Sequence, residues 1–147
     1  MGRTIDTYID INAPPGRVWE VLVDSPTWKE WNPFIPSITG EPEAGAYLRI
    51  TVCPPGLKSM EFKPKVFVVR PGEEIIWGGS FLLLLYRGDH AILLEPLPGG
   101  RTRFRQRERF RGPMVLFMGS MFKPTEQGYH QMNQALKRRV EGKPIRS

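Results

Sequence analysis

The chain of 147 residues, 40% hydrophobic and 24% charged, has the size and make-up of one globular domain, and a single domain over 1–147 is expected. One cysteine, Cys53, and two separated histidines, His90 and His130, exclude an internal disulfide and a Cys/His zinc cluster, so neither metal nor cofactor is predicted. A net charge of +6 suits anionic partners, but no nucleic-acid motif accompanies it, and no membrane span or signal-peptide core is present, which makes the cytoplasm the default location.

Ile5, Thr7, Ile9 and Ile11 share one parity and Asp6, Tyr8 and Asp10 the other, the pattern of a half-buried first strand. Asn12-Ala13-Pro14-Pro15 ends it and opens a helix with the apolar stripe Val18, Trp19, Leu22 and Val23, which Asp24-Ser25-Pro26 stops. A second short helix from Thr27 to Asn32 carries Trp28 and Trp31, and Pro33 and Pro36 return the chain to extended structure. From Ile38 to Arg111 strands and turns alternate. Leu48, Ile50 and Val52 face one way before the Pro54-Pro55-Gly56 turn; Phe62, Val66 and Val68 share a face of the next strand, opposite Glu61, Lys63 and Lys65. After Arg70-Pro71-Gly72 comes a strand with Ile75 and Trp77 inward, in which Gly78-Gly79 serves a bend or a close approach. The leucines 82 to 85 form either an edge loop packed on a helix or the rim of an entrance. His90, Ile92 and Leu94 then face inward against Asp89 and Glu95, and short turns between consecutive strands predict an antiparallel meander.

The segment Arg101 to Arg111 alternates without a break, with arginine at every odd position and Thr102, Phe104, Gln106, Glu108 and Phe110 between them. Only a strand has period 2. The guanidinium face must meet solvent, so Gln106 and Glu108 are carried inward with the two phenylalanines. An inward carboxyl is costly unless paired, protonated or wetted, and a strand lining a cavity explains it most simply.

Pro113 opens a segment with Met114, Leu116, Phe117, Met118, Met121 and Phe122, after which Tyr129, Met132, Leu136 and Val140 recur at helical spacing. Pro124 should kink this helix or break it in two. A long amphipathic helix following a curved sheet lays its apolar face on that sheet. The expected fold is α+β, a helix-grip: a curved antiparallel sheet around a long C-terminal helix, with two short N-terminal helices.

Several stretches in this order resemble the START/Bet v 1-like superfamily, within it the polyketide cyclase/dehydrase-like SRPBCC domains. They are Ile11-Asn12-Ala13-Pro14 with Val18-Trp19, the run Trp28 to Phe34, Gly88-Asp89-His90 to Leu94-Glu95-Pro96, Glu108 to Gly112, and Met132 to Lys137. The resemblance covers almost the whole chain and departs from typical members at Pro124 and Leu82 to Leu85. It implies a deep hydrophobic cavity between sheet and C-terminal helix, used across the family for lipids, polyketides, hormones and sterol-like ligands, with Trp28, Trp31 and Phe34 closing one end.

His90, opposite Gln106 or Glu108 if Pro98 to Gly100 closes the hairpin, completes a polar trio that fits either ligand contact or a satisfied core cluster. Trp28, Phe34, Trp77, Ile92, Phe104 and Phe110 are expected wall residues. Phe117, Met118, Met121 and Phe122 fit the wall or a membrane-facing turn, and the scarcity of flanking basic residues favours the wall. The resulting expectation is a protein that binds a hydrophobic, lipid-, polyketide- or other cyclic-type ligand. The alternatives are a cyclase or dehydratase acting through Glu108 and His90, and a module docking Arg103, Arg105 and Arg107 on an acidic partner or membrane. Nucleic acid and stable membrane insertion are not expected, and no pattern fixes an oligomeric state.

Overall fold

In the computed structural model, residues 2–81 and 85–142 are described. The strands β1 (Gly2–Ile11), β5 (Lys65–Arg70), β6 (Glu74–Phe81), β7 (Tyr86–Leu97) and β8 (Arg101–Arg111) form an antiparallel sheet in the order β1-β8-β7-β6-β5. A second sheet holds β2 (Ser37–Thr39), β3 (Arg49–Val52) and β4 (Met60–Phe62). Helices α1 (Pro15–Val23) and α2 (Trp28–Trp31) follow β1, and α3 (Gly119–Glu141) closes the fold. No helix among the described residues is long and apolar enough to cross a membrane. The architecture is the helix-grip.

The alternation of β8 is realised in full. Thr102, Phe104, Gln106 and Phe110 are buried, β1 pairs along one edge and β7 along the other, and α3 lays Tyr129, Met132, Leu136 and Val140 into the same core. The arginine face is laced with acids from both neighbouring strands. Arg103 pairs with Asp10 at 2.8 Å, Arg105 and Arg107 with Asp6 at 3.4 and 3.3 Å, and Arg111 with Asp89 at 3.1 Å. Arg103 also stacks on the Tyr8 ring at 4.3 Å.

Three expectations are corrected. The strand expected across Glu61 to Val68 is two strands in different sheets, because Pro64 has no N–H to give a ladder; its carbonyl instead accepts from Leu48 N–H at 2.8 Å. Within β5 a bulge sets Val66 opposite Trp77 and Val68 opposite Ile76, so Val66 stays in the core and Val69, not Val68, is the next β5 residue packed on it. Finally, α3 runs unbroken through Pro124, which lies near its start and removes one backbone hydrogen bond there, while the chain changes course at Met118, between a 3-10 helix (Pro113–Phe117) and α3. Leu82 to Leu84 lie outside the described residues; Leu85 is exposed.

The two faces of β8 predict opposite responses to substitution. Phe104→Ala should cost about 3 to 5 kcal/mol as a fully buried aromatic truncation, and Arg105→Gln no more than about 1 kcal/mol, as for a partly exposed ion pair. Chemical denaturation of the two variants measures this, and a costlier arginine change would invert the faces.

Candidate functional site

A cavity of about 70 Å³ lies between β3, β4, β6, β7, β8 and the first turns of α3. Its wall is apolar and aromatic, with Phe34, Ile50, Val52, Phe62, Trp77, Phe110, Met118, Met121 and Phe122; its polar groups are His90, Glu108, Tyr86, Thr125 and Tyr129. Among the described residues no three His, Cys, Asp or Glu side chains converge to hold a metal ion.

Local sequence explains how the wall is held. Asn32 turns the chain after α2, its Oδ1 accepting from Phe34 N–H at 3.0 Å and Ile35 N–H at 2.9 Å, while Pro33 between them has no N–H to satisfy. Phe34 is thereby directed onto α3, where its ring meets Tyr129 edge-on with centroids 4.8 Å apart. Gly128 makes this possible, since a Cβ there would lie 2.2 Å from the Phe34 ring. Gly88 does the same for the polar wall: a Cβ would stand 2.9 Å from Glu108 Oε2 and 3.1 Å from the Tyr86 hydroxyl. Gly78 answers the close approach of β7, with Gly88 O only 2.6 Å from where its Cβ would be.

Glu108 does not stand alone. β7 and β8 set His90 opposite Glu108 and Ile92 opposite Gln106, and α3 adds Tyr129 and Asn133 one turn apart. Asn133 Nδ2 donates to Thr7 Oγ1 at 3.0 Å, and Gln106 Nε2 donates to Asn133 Oδ1 at 2.7 Å. Gln106 Oε1 only accepts, so the hydrogen between it and His90, 3.0 Å away, sits on His90 Nε2. In the neutral ring Nδ1 is then an acceptor, and it takes the Tyr129 hydroxyl hydrogen at 3.2 Å. That leaves the Tyr129 oxygen to accept from Glu108, with which it is hydrogen-bonded, when the carboxyl is protonated. Each side chain from Glu108 to Asn133 then donates one hydrogen bond to the next, and the chain ends at Thr7.

Electrostatics favour this state. Burial, reinforced by the negative charge of Asp89, pushes the Glu108 carboxyl up to about 8. Burial pushes His90 down to about 4, although its hydrogen bond to Gln106 works the other way. Both are therefore neutral near pH 7, and the 3.8 Å between His90 Nδ1 and Glu108 Oε1 is a neutral approach rather than an ion pair. Tyr86 is raised too, by burial and by the neighbouring Glu108.

Of the residues singled out in the sequence, Phe34, Trp77, His90, Glu108, Phe110, Met118, Met121 and Phe122 come together at the cavity. The others do not. Ile92, Phe104 and Gln106 are sealed in the core beyond His90, each with no exposed surface, because α3 packs directly on that stretch of the sheet. Trp28 is turned away by the bond from its Nε1 to Leu22 O at 3.0 Å and lines a separate, smaller pocket. Phe117, 80% exposed, points out of the wall because it precedes the change of course at Met118. Sequence reading placed Tyr129 in the core stripe of the last helix and missed its hydroxyl. Its signal was a pair of polar-tipped residues, Tyr129 and Asn133, four apart on an otherwise apolar face.

A family model described as polyketide cyclase / dehydrase and lipid transport matches residues 3–141. Among curated proteins none matches this sequence. Among solved structures, the Zhui aromatase/cyclase from a Streptomyces species is similar at TM-score 0.78 and 16% identity, over 96% of this chain and 94% of that one. Norcoclaurine synthase from Thalictrum flavum is similar at TM-score 0.75 and 17% identity, over 97% and 88%. The protein Ara h 8.0201 follows at 0.71 and 16%, over 97% and 100%. At these identities the likeness is one of fold.

The titration of Glu108 should be visible in stability. Between its ordinary value of 4.5 and about 8 the folded protein keeps a proton that the unfolded chain has released, so stability falls as pH rises through that window. His90 acts oppositely between about 4 and 6.5, where the unfolded chain binds a proton that the folded protein excludes. The slopes oppose each other up to about 6.5, and from there to about 8 only the loss from Glu108 remains. Glu108→Gln keeps a donor for Tyr129 and does not titrate. Its melting temperature relative to the parent should climb steadily from pH 6.5 to 8; a constant offset would mean that Glu108 is ionised throughout.

Proposed function

The chain belongs to the polyketide cyclase / dehydrase and lipid transport family, and from that premise we propose that it binds a hydrophobic, lipid-like or ring-bearing small molecule in the cavity between sheet and α3. One observation carries the reading: an apolar wall rich in aromatic rings converges on a single carboxyl, the composition of a site that holds a greasy ligand and orients it through a few polar contacts. The arginine face lends no comparable support to a docking function, since Arg103, Arg105, Arg107 and Arg111 already have acidic partners within the chain.

A second reading, a cyclase or dehydratase, draws on the protonated state of Glu108. A carboxyl kept neutral near pH 7 at an apolar wall is suited to general acid catalysis. His90 is not a matching base in this arrangement, because both ring nitrogens are engaged within the hydrogen-bonded chain. Turnover of a polyketide-like substrate that Glu108→Gln abolishes while binding persists would establish this reading.

The binding reading is tested with Nile red, a neutral fluorophore sensitive to apolar surroundings. The parent should bind it while folded, Met121→Trp should weaken binding at least about tenfold, equivalent to about 1.4 kcal/mol, and Phe117→Trp should leave it unchanged. Unaltered binding in a folded Met121→Trp protein would remove this cavity as the site.

A further inference from the structure

The charge on the cavity wall is one-sided. Glu108 is present, and among the described residues lining the cavity there is no lysine and no arginine. Arg3 stacks on Phe122 at 4.4 Å but is not itself a wall residue. The basic groups of β8 lie on the outer face of the sheet among their acidic partners. The two oxygens of Glu108 also have different surroundings: Oε1 is held by Tyr129, whereas Oε2 and the Tyr86 hydroxyl both lie close above Gly88, another wall residue, 2.9 and 3.1 Å from where its Cβ would stand.

Three ligand chemistries meet this wall differently. A carboxylate or phosphate would lose its solvation with no counter-charge on the wall and recover only neutral hydrogen bonds there. A hydroxyl or carbonyl would exchange one neutral hydrogen bond for another. An ammonium would favour release of the Glu108 proton to solvent and meet the resulting carboxylate oxygen, in a wall that also carries the rings of Trp77, Tyr86, Phe110 and Tyr129.

We propose that the cavity selects apolar ligands carrying a basic nitrogen, bound as ammonium by Glu108 in a wall rich in aromatic rings, and that it disfavours anionic lipids. The proposal rests on the ligand-binding reading above and gives it a substrate class. It assigns Glu108 Oε2 the direct contact and Tyr129 the task of holding Oε1, while Gly88 lets the carboxyl lie close against the β7 backbone.

The test is displacement of Nile red from the parent and from Glu108→Gln by three probes sharing one ring and a short chain: 2-phenylethylamine, 2-phenylethanol and 3-phenylpropanoate. In the parent the amine should compete best, ahead of the alcohol by about tenfold or more, the factor one charge-assisted hydrogen bond confers, and the carboxylate should compete least. In Glu108→Gln the amine and the alcohol should become equal. Nile red bound and displaced without regard to charge, or an amine preference that survives Glu108→Gln, would overturn the selection while leaving the binding function intact. Absence of Nile red binding to the folded parent would overturn the binding function itself, and the proposal with it.

Discussion

One buried carboxyl sets the terms for the interior of this protein. Glu108 retains 17% of its side-chain exposure, all that separates it from a sealed core, and an acid so placed is tolerated only if neutral or well partnered. It is both. Its partner chain runs through Tyr129, His90, Gln106, Asn133 and Thr7 and so draws on β8, α3, β7 and β1 together. A slip of β8 by one residue would turn Gln106 and Glu108 to solvent and bring arginines inward, so the polar chain and the hydrophobic pattern enforce the same register. The helix is fixed as well, because Tyr129 and Asn133 reach their partners at only one rotation and height of α3.

What could be read from sequence followed from periodicity. The parity of β8, the inward set of β1 and β7, and the stripe on α3 are local patterns, and packing respected each of them. What could not be read depended on encounters between distant segments. Tyr129 looks like any aromatic in a helix stripe until His90 and Glu108 arrive opposite it, and Gly128 has no evident purpose until Phe34 lands on it. Phe117 and Phe122 are alike as residues. The turn at Met118, not the proline at 124, decides that one is 80% exposed and the other buried, and no local signal tells the break at Met118 from the proline that the helix tolerates.

The basic character of the chain resolves in a similar way. Six arginines on one strand face read as a positive stripe, yet Asp6 and Asp10 alternate in step on β1, and Asp89 and Glu95 on β7. Antiparallel pairing brings these acids beside the arginines, with Tyr8 stacked between Arg103 and Arg105. The sheet surface is thus a lattice of weak ion pairs, individually of small energetic consequence, that keeps an arginine-rich face from acting as a bare cation patch.

The same division of charge gives the cavity its chemical polarity. The arginines of β8 lie on the outer face, and the inner face keeps a carboxyl whose neutral state depends on burial rather than on a counter-ion. Such a group responds to what enters beside it: an apolar ligand deepens its desolvation and holds the proton, while a cation favours its release. Release has a consequence beyond Glu108. With the carboxyl ionised, the Tyr129 hydrogen turns towards it, and the Tyr129 oxygen then faces His90 Nδ1 at 3.2 Å, two acceptors in contact unless the ring gains a proton. Ionisation of Glu108 and protonation of His90 are therefore coupled through one hydroxyl. His90, also part of the wall, senses the ionisation of Glu108 through the Tyr129 hydroxyl, as a positioning residue, while Glu108 is the group that meets the ligand.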